Sequence, residues 1–142
     1  MGREQGGLGA PHLACTHGAE AEVPLERRHR RHPVACLTLG EQRRLIISGQ
    51  VGVAADGSVP SAGEGQIAQA FANLRAVLEA HGMGVSNLVK TTVFLTDRSL
   101  LASFRAAREA VYGEHAPCST LLFVAGLADP RFMVEIEAEA VS

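Results

Sequence analysis

An α/β fold, with two helices against one face of a mixed β-sheet, is predicted by three observations. Apolar residues recur at three- and four-residue steps in two segments, Ile67 to Leu78 and Leu100 to Tyr112, as on amphipathic helices. Runs rich in β-branched and apolar residues flank and separate those segments. The resulting order is β-β-(loop)-α-β-α-β-β; strands separated by a helix usually lie parallel, and neighbours joined by short links lie antiparallel.

Taken in order, Val34 to Leu39 reads as the first strand, and Gly40 ends it. The short polar link from Gly40 to Arg43 suits a hairpin into a second strand, Arg44 to Gly49. Asp56-Gly57 marks a turn in the loop that follows, and Ser61 with Glu64 has capping-box spacing ahead of the first helix. Ile67, Ala70, Phe71, Leu74, Val77 and Leu78 form the helix's apolar stripe, and Gly82 stands where a glycine stop is usual. Val89 to Leu95 is a third strand, and Asp97 or Ser99 can cap the second helix. Leu100, Leu101, Phe104, Ala107, Val111 and Tyr112 line one side of that helix, and Pro117 forbids its continuation. Thr120 to Val124 is a fourth strand, and Ala125 to Pro130 a loop. Phe132 to Val141 closes as a strand with Met133, Glu135, Glu137 and Glu139 on one face and Val134, Ile136, Ala138 and Ala140 on the other. With both helices on one side, the second face of the sheet is left for another subunit or for solvent.

The chain has 142 residues, enough for one domain, and no tryptophan, so its core must rest on Leu, Val, Ile and Ala. Residues 1–32 differ from the rest. They lack helical or strand period and end in Arg27-Arg28-His29-Arg30-Arg31-His32, which reads as a flexible, basic-ended arm ahead of a domain over 33–142. A formal charge of -2 disfavours nucleic acid as the partner of the whole domain. No apolar run approaches the ~20 residues of a membrane span. No signal-like stretch opens the chain, and an odd count of three cysteines suits a reducing compartment, so the cytoplasm is the expected location.

No phosphate-binding glycine loop, HExxH or GxSxG is present. No histidine pairs with cysteines or carboxylates at zinc spacing, so a metal site is not expected. His81 and His115 each follow a helix, where a dipole contact is the simpler reading. Three stretches exceed structural need. Ser48-Gly49-Gln50 ends a strand with a glycine that permits close approach of a ligand or backbone. Pro117-Cys118-Ser119-Thr120 enters a strand with a thiol and two hydroxyls. Glu135, Glu137 and Glu139 share one strand face, where like charges raise one another's pKa.

In this order and spacing, Ile46-Ile47-Ser48-Gly49-Gln50, the helix with Gln69, Asn73-Leu74 and Val77-Leu78 before Gly82, Val89 to Asp97, and Val134-Glu135-Ile136-Glu137-Ala138 resemble the RidA/YjgF family, also called endoribonuclease L-PSP or translation inhibitor. The resemblance covers about Val34 to Val141. It implies a chorismate-mutase-like α+β fold and a homotrimer whose sheets pack around a central axis, with small-molecule pockets between subunits. It also implies cofactor-free hydrolysis of reactive enamines and imines to 2-oxo acids and ammonia. Ser48 and Gly49 match a pocket-lining segment, and Glu135 matches a glutamate that positions or activates water.

The family's Pro-Ala-Arg-Ser reads here Pro117-Cys118-Ser119-Thr120, so Ser119 stands in the arginine's place. A pocket tyrosine near the family's N-terminus has no counterpart. Arg105 aligns with a pocket asparagine on the second helix. An arginine grips a carboxylate through two parallel N–H bonds, worth ~1.5 to 3 kcal/mol when charge-assisted, and a serine hydroxyl cannot replace that charge. Either Arg105 supplies the cation from the helix, or the ligand lacks a carboxylate there and Ser119 and Thr120 hydrogen-bond it. The second reading is favoured, because a helix arginine is ordinarily a solvated surface residue. Cys118 has no neighbouring cation in sequence to lower its pKa and reads as packing, although its backbone, with that of Gly49, can orient a substrate. The functional readings are therefore an imine or enamine deaminase acting on a non-standard substrate, a non-catalytic metabolite-binding trimer, or, third, RNA contact through the basic arm.

Overall fold

The computed structural model describes residues 34–39 and 42–142. The basic-ended segment 1–32 lies outside them. Five strands form one sheet: β1 (Val34–Leu39), β2 (Gln42–Val51), β3 (Leu88–Leu95), β4 (Cys118–Phe123) and β5 (Val134–Val141). Helix α1 (Gly63–Ala80) lies between β2 and β3, and α2 (Leu101–Tyr112) between β3 and β4. The spatial order is β1-β2-β5-β3-β4. The pairing of β3 with β4, joined through α2, is parallel, and the others are antiparallel. The predicted α/β architecture, a mixed sheet with two helices, is what forms.

One face of the sheet carries the core. Val134, Ile136, Ala138 and Ala140 are buried in alternation along β5, and the α1 stripe read from the sequence is buried throughout. The two helices meet through aromatic rings: Phe71 of α1 stacks on Phe104 of α2 at 5.5 Å and meets Tyr112 edge-on at 5.6 Å. Few aromatics therefore still make the helix–helix joint. Gly82 follows α1 with φ +68, the left-handed turn that a glycine adopts without Cβ strain.

Several boundaries differ from expectation. Strand β2 begins at Gln42, where charged residues continue the hairpin with β1 and Arg43 exchanges backbone hydrogen bonds with Ser142. The Ser61/Glu64 capping box does not form. The N-cap is Ala62, with no side-chain cap, and Glu64 instead accepts a hydrogen bond from Ser103 of α2 at 3.3 Å. Asp97 does cap, but it caps the short 3-10 turn Arg98–Leu100 that leads into α2, accepting from the Ser99 N–H at 2.7 Å. Strand β4 starts two residues earlier than predicted, because its parallel register with β3 already holds at Lys90 opposite Cys118. Strand β5 starts two residues later, at Val134.

Candidate functional site

The first group of site residues is built by an irregularity in β2. Ile47 pairs with Ala138 of β5, but Gln50 pairs with Ile136, so Ser48 and Gly49 together oppose Glu137. Such a bulge re-aims side chains near its kink. Gln50 is buried and bonds back to the Ser48 carbonyl at 3.0 Å, holding the bulge's shape. Gly49 sits under the side chain of Glu135: a Cβ at this position would overlap the Glu135 carboxylate. Glycine is required here by close approach. The hydroxyl of Ser48 is buried and has no hydrogen-bond partner among the described residues, which is uncommon for a buried polar group.

Glu135 belongs to the sheet face opposite the helices, since its neighbours Val134 and Ile136 point into the core. Partial burial, more than repulsion from Glu137, pushes its carboxyl above the ordinary carboxylate pKa. Like charge along the strand is thus the lesser cause, contrary to the emphasis read from the sequence. Glu139 does not add to a bare row of charge, because it is ion-paired with Arg44 of β2.

The second group lies on the other side of the sheet. Thr91 of β3 is buried on the helix side and donates from its hydroxyl to the Ser119 hydroxyl at 3.0 Å. Ser119 therefore points toward α2. There it lines a cavity of about 410 Å³ with Arg105, Arg108, Tyr112 and His115, at the junction of the end of α2 and the entry to β4. Burial pushes the Tyr112 phenol up to about 12, so it stays protonated and remains a donor. The His115 ring bonds the Leu88 carbonyl at 2.7 Å while its backbone N–H donates to the Tyr112 carbonyl at the end of α2 at 3.0 Å, which together fix the turn between α2 and β4. His81 behaves as expected, contacting the Val77 carbonyl of α1 at 2.8 Å.

The structure thus separates residues that the sequence reading grouped. Ser119 and Glu135 occupy opposite faces of the sheet. Cys118 and Thr120 share the Glu135 face by alternation, but they stand two strands away, in the rows of Glu139 and Glu137 rather than of Glu135. At ~4.8 Å per strand, neither touches Glu135 within one chain. Cys118 is exposed and not a packing residue as expected, because the edge strand gives its outward face no cover from a described element. Arg105 is brought to Ser119's cavity. Arg108 and Tyr112 were not singled out for a site by sequence. The available signal was spacing: Arg108 is three residues from Arg105 and Tyr112 four from Arg108, one side of a helix. Among the described residues, no group of three or more His, Cys, Asp or Glu is placed to hold a metal ion, and no helix is long and apolar enough to cross a membrane.

Residues 36–142 match the protein-family model described as endoribonuclease L-PSP. The chain is 37% identical over 102 residues to the 2-iminobutanoate/2-iminopropanoate deaminase of Escherichia coli K12, spanning 69% of this chain and 77% of that protein. Its fold is similar to the crystal structure of the YjgF gene product of E. coli, with a TM-score of 0.66 at 37% identity over 75% of this chain and 84% of that one. It is also similar to E. coli TdcF with bound serine, with a TM-score of 0.67 at 30% identity over 75% of this chain and 85% of that one.

Proposed function

This chain belongs to the endoribonuclease L-PSP family, and from that premise we propose that it is an imine or enamine deaminase whose pocket is completed between copies of the chain. The observation that carries the reading is the Glu135 carboxylate laid over Gly49, on a rigid strand, with its pKa raised by burial. A carboxylate in that state is a better-matched general base near neutral pH than a solvated one.

In the reaction, Glu135 takes a proton from water as its oxygen attacks the C=N carbon. Glu135 returns that proton to the nitrogen, giving a neutral carbinolamine; it then takes the carbinolamine O–H proton and passes it to the amino nitrogen as the C–N bond breaks, so that ammonia leaves a 2-oxo acid or other carbonyl product and the carboxylate is regenerated. Water and the imine supply every atom of the products. The backbone groups of Gly49 and Cys118 orient the substrate.

Two halves on opposite faces of one sheet do not make one pocket. A homotrimer resolves this by setting the Glu135 face of one copy against the β4 edge of the next, where Ser119 and Thr120 lie. Ile46 and Leu122, exposed on the face without helices, supply apolar area for such contact. The presence of serine on TdcF agrees with a small, amino-acid-sized ligand. Because Ser119 replaces an arginine, the substrate is held differently from, or is chemically distinct from, the 2-iminobutanoate and 2-iminopropanoate named for the E. coli relative.

The test is release of ammonia and carbonyl product from imines generated in situ, measured above the spontaneous rate. A panel should run from short 2-imino acids to neutral imines. Turnover on any of them supports the reading. Ligand-induced thermal stabilisation without turnover on the whole panel replaces it with a non-catalytic metabolite-binding trimer, which the missing strand arginine favours as the second reading.

A further inference from the structure

Strand β5 carries two carboxylates that no described residue neutralises. Glu135, Glu137 and Glu139 alternate with the buried Val134, Ile136, Ala138 and Ala140, so all three leave the sheet on the face without helices. Glu139 is ion-paired with Arg44. Glu135 and Glu137 form no salt bridge with a described residue.

The β2 bulge turns one of these toward the other. In the ladder Glu135 pairs with Val51, whereas Ser48 and Gly49 oppose Glu137. The Glu135 side chain does not stay in its own row. Its carboxyl lies where a Cβ of Gly49 would stand, so it leans back along the strand toward the row of Glu137. Same-face neighbours on a strand start ~7 Å apart at the backbone, inside the range over which charges act on one another. Burial first, and the Glu137 charge second, push the Glu135 carboxyl above its ordinary pKa, in agreement with this geometry. Glu137 is the more exposed of the two, so solvent carries its charge at little cost.

The other charged or titratable groups on this face stand elsewhere among the described residues. Lys90 of β3 and Cys118 of β4 lie in the row of Glu139. The row of Glu137 continues through Thr92 and Thr120, which carry no charge. Arg44 of β2 is taken by Glu139.

We propose that Glu137 is a positioning residue for the hydrolysis: its negative charge, held beside Glu135 at the β2 bulge, strengthens the pull of Glu135 on the proton it takes from water. Glu137 acts through Glu135 and carries no proton itself, so the atoms and charges of the reaction are unchanged. A like charge beside a carboxylate base makes its protonation more favourable. This rests on the deaminase reading for the reaction, but not for the coupling of the two carboxyls.

The test uses the full chain and two measurements. One is the pH dependence of kcat for imine hydrolysis, taken above the spontaneous rate at each pH. The other is a titration of the Glu135 carboxyl, followed by carbon NMR in isotope-labelled protein. In E137Q the acid limb of the profile and the NMR midpoint of Glu135 should both move to lower pH, because the neighbouring charge no longer favours the protonated form. Near neutral pH E137Q should lose less than about tenfold in kcat, against the ~10²- to 10⁴-fold expected on loss of the base itself. E137D keeps the charge and should restore both midpoints. E139Q removes a carboxylate that is already paired, and should move them less. A merely structural Glu137 would lower kcat or melting temperature on substitution and leave the midpoints in place. Unmoved midpoints in E137Q, or equal shifts in E137Q and E139Q, overturn the proposal. Failure of the two readings is separable. A Glu135 midpoint that moves in E137Q, with no imine hydrolysis by the wild type, removes the deaminase and the reaction Glu137 would serve, but leaves the coupled pair. Hydrolysis by the wild type with both midpoints unmoved in E137Q removes the role of Glu137 and leaves the deaminase.

Discussion

At the scale of single residues, the general-base role proposed for Glu135 pulls against its burial. Its carboxyl is half-buried beside Glu137, and burial first, then that neighbour, raises its pKa above 4.5. The shift favours the neutral acid in the folded chain. Stability from this group is therefore fully present below the unfolded pKa and is lost as pH rises through the folded value. Replacing Glu135 by Gln removes the charge at similar size. E135Q should melt higher than the wild type near neutral pH, and the gap should close as pH falls below 4.5, which thermal melts across pH will show. The same substitution should lower kcat for imine hydrolysis about 10²- to 10⁴-fold, the usual worth of a general base. A variant that is more stable and less active marks a site residue, whereas one that is less stable and equally active marks a structural one. That Gly49 serves a close approach was legible in the sequence, although it is the Glu135 side chain that approaches it. The opposite facing of Ser119 and Glu135 was not, because it depends on where β4 starts, and that is set by pairing with β3 rather than by any residue in β4 itself. Arg108 was invisible for a different reason: a helix arginine looks the same in sequence whether it faces solvent or a cavity.

At the scale of elements, the helices and strands were readable because apolar period decides them, and their ends were less so because polar contacts decide those. Gln66 is the clearest case. It sits within the first helix at a position that a hydropathy pattern assigns to no particular duty, yet it is buried at 1% exposure. Its amide donates to the carbonyls of Pro60 at 2.9 Å and Arg131 at 2.8 Å, and its carbonyl accepts from the Met133 N–H at 2.8 Å. One side chain thus ties the loop before α1 and the loop before β5 to the helix, and sets the point from which β5 carries Glu135 forward. Asn73 does similar work two turns on, donating to Val51 and Val53 at 2.8 and 2.9 Å. Q66L should cost about 1.5 to 4.5 kcal/mol by urea denaturation, from three bonds at about 0.5 to 1.5 kcal/mol each. The loss should appear in the midpoint with the slope unchanged, since the fold still buries the same surface.

At the scale of the whole molecule, the sheet order leaves β4 at one edge and no described helix over the second face. Removing residues 1–32 takes away none of the described elements, because β1 begins at Val34. The shortened chain should melt with the full-length protein and keep its imine hydrolysis, and any RNA retention by the full chain should vanish with the segment. Assembly is the remaining question, and Leu122 addresses it. Its neighbours Leu121 and Phe123 pack against the core, so Leu122 faces away from the helices, 42% exposed within one chain. A lysine there costs a single chain little, since edge strands commonly carry lysine outward. In a trimer built on this face it buries an unpaired charge, which is strongly unfavourable. Sedimentation of the wild type should give three times the 15.0 kDa of one chain, and L122K should sediment as a single chain with its secondary structure intact. Imine hydrolysis should disappear with the trimer, because Glu135 and the β4 edge then no longer meet. Full activity in a monomeric L122K would instead place the whole pocket within one chain, against the opposite facing of its two halves.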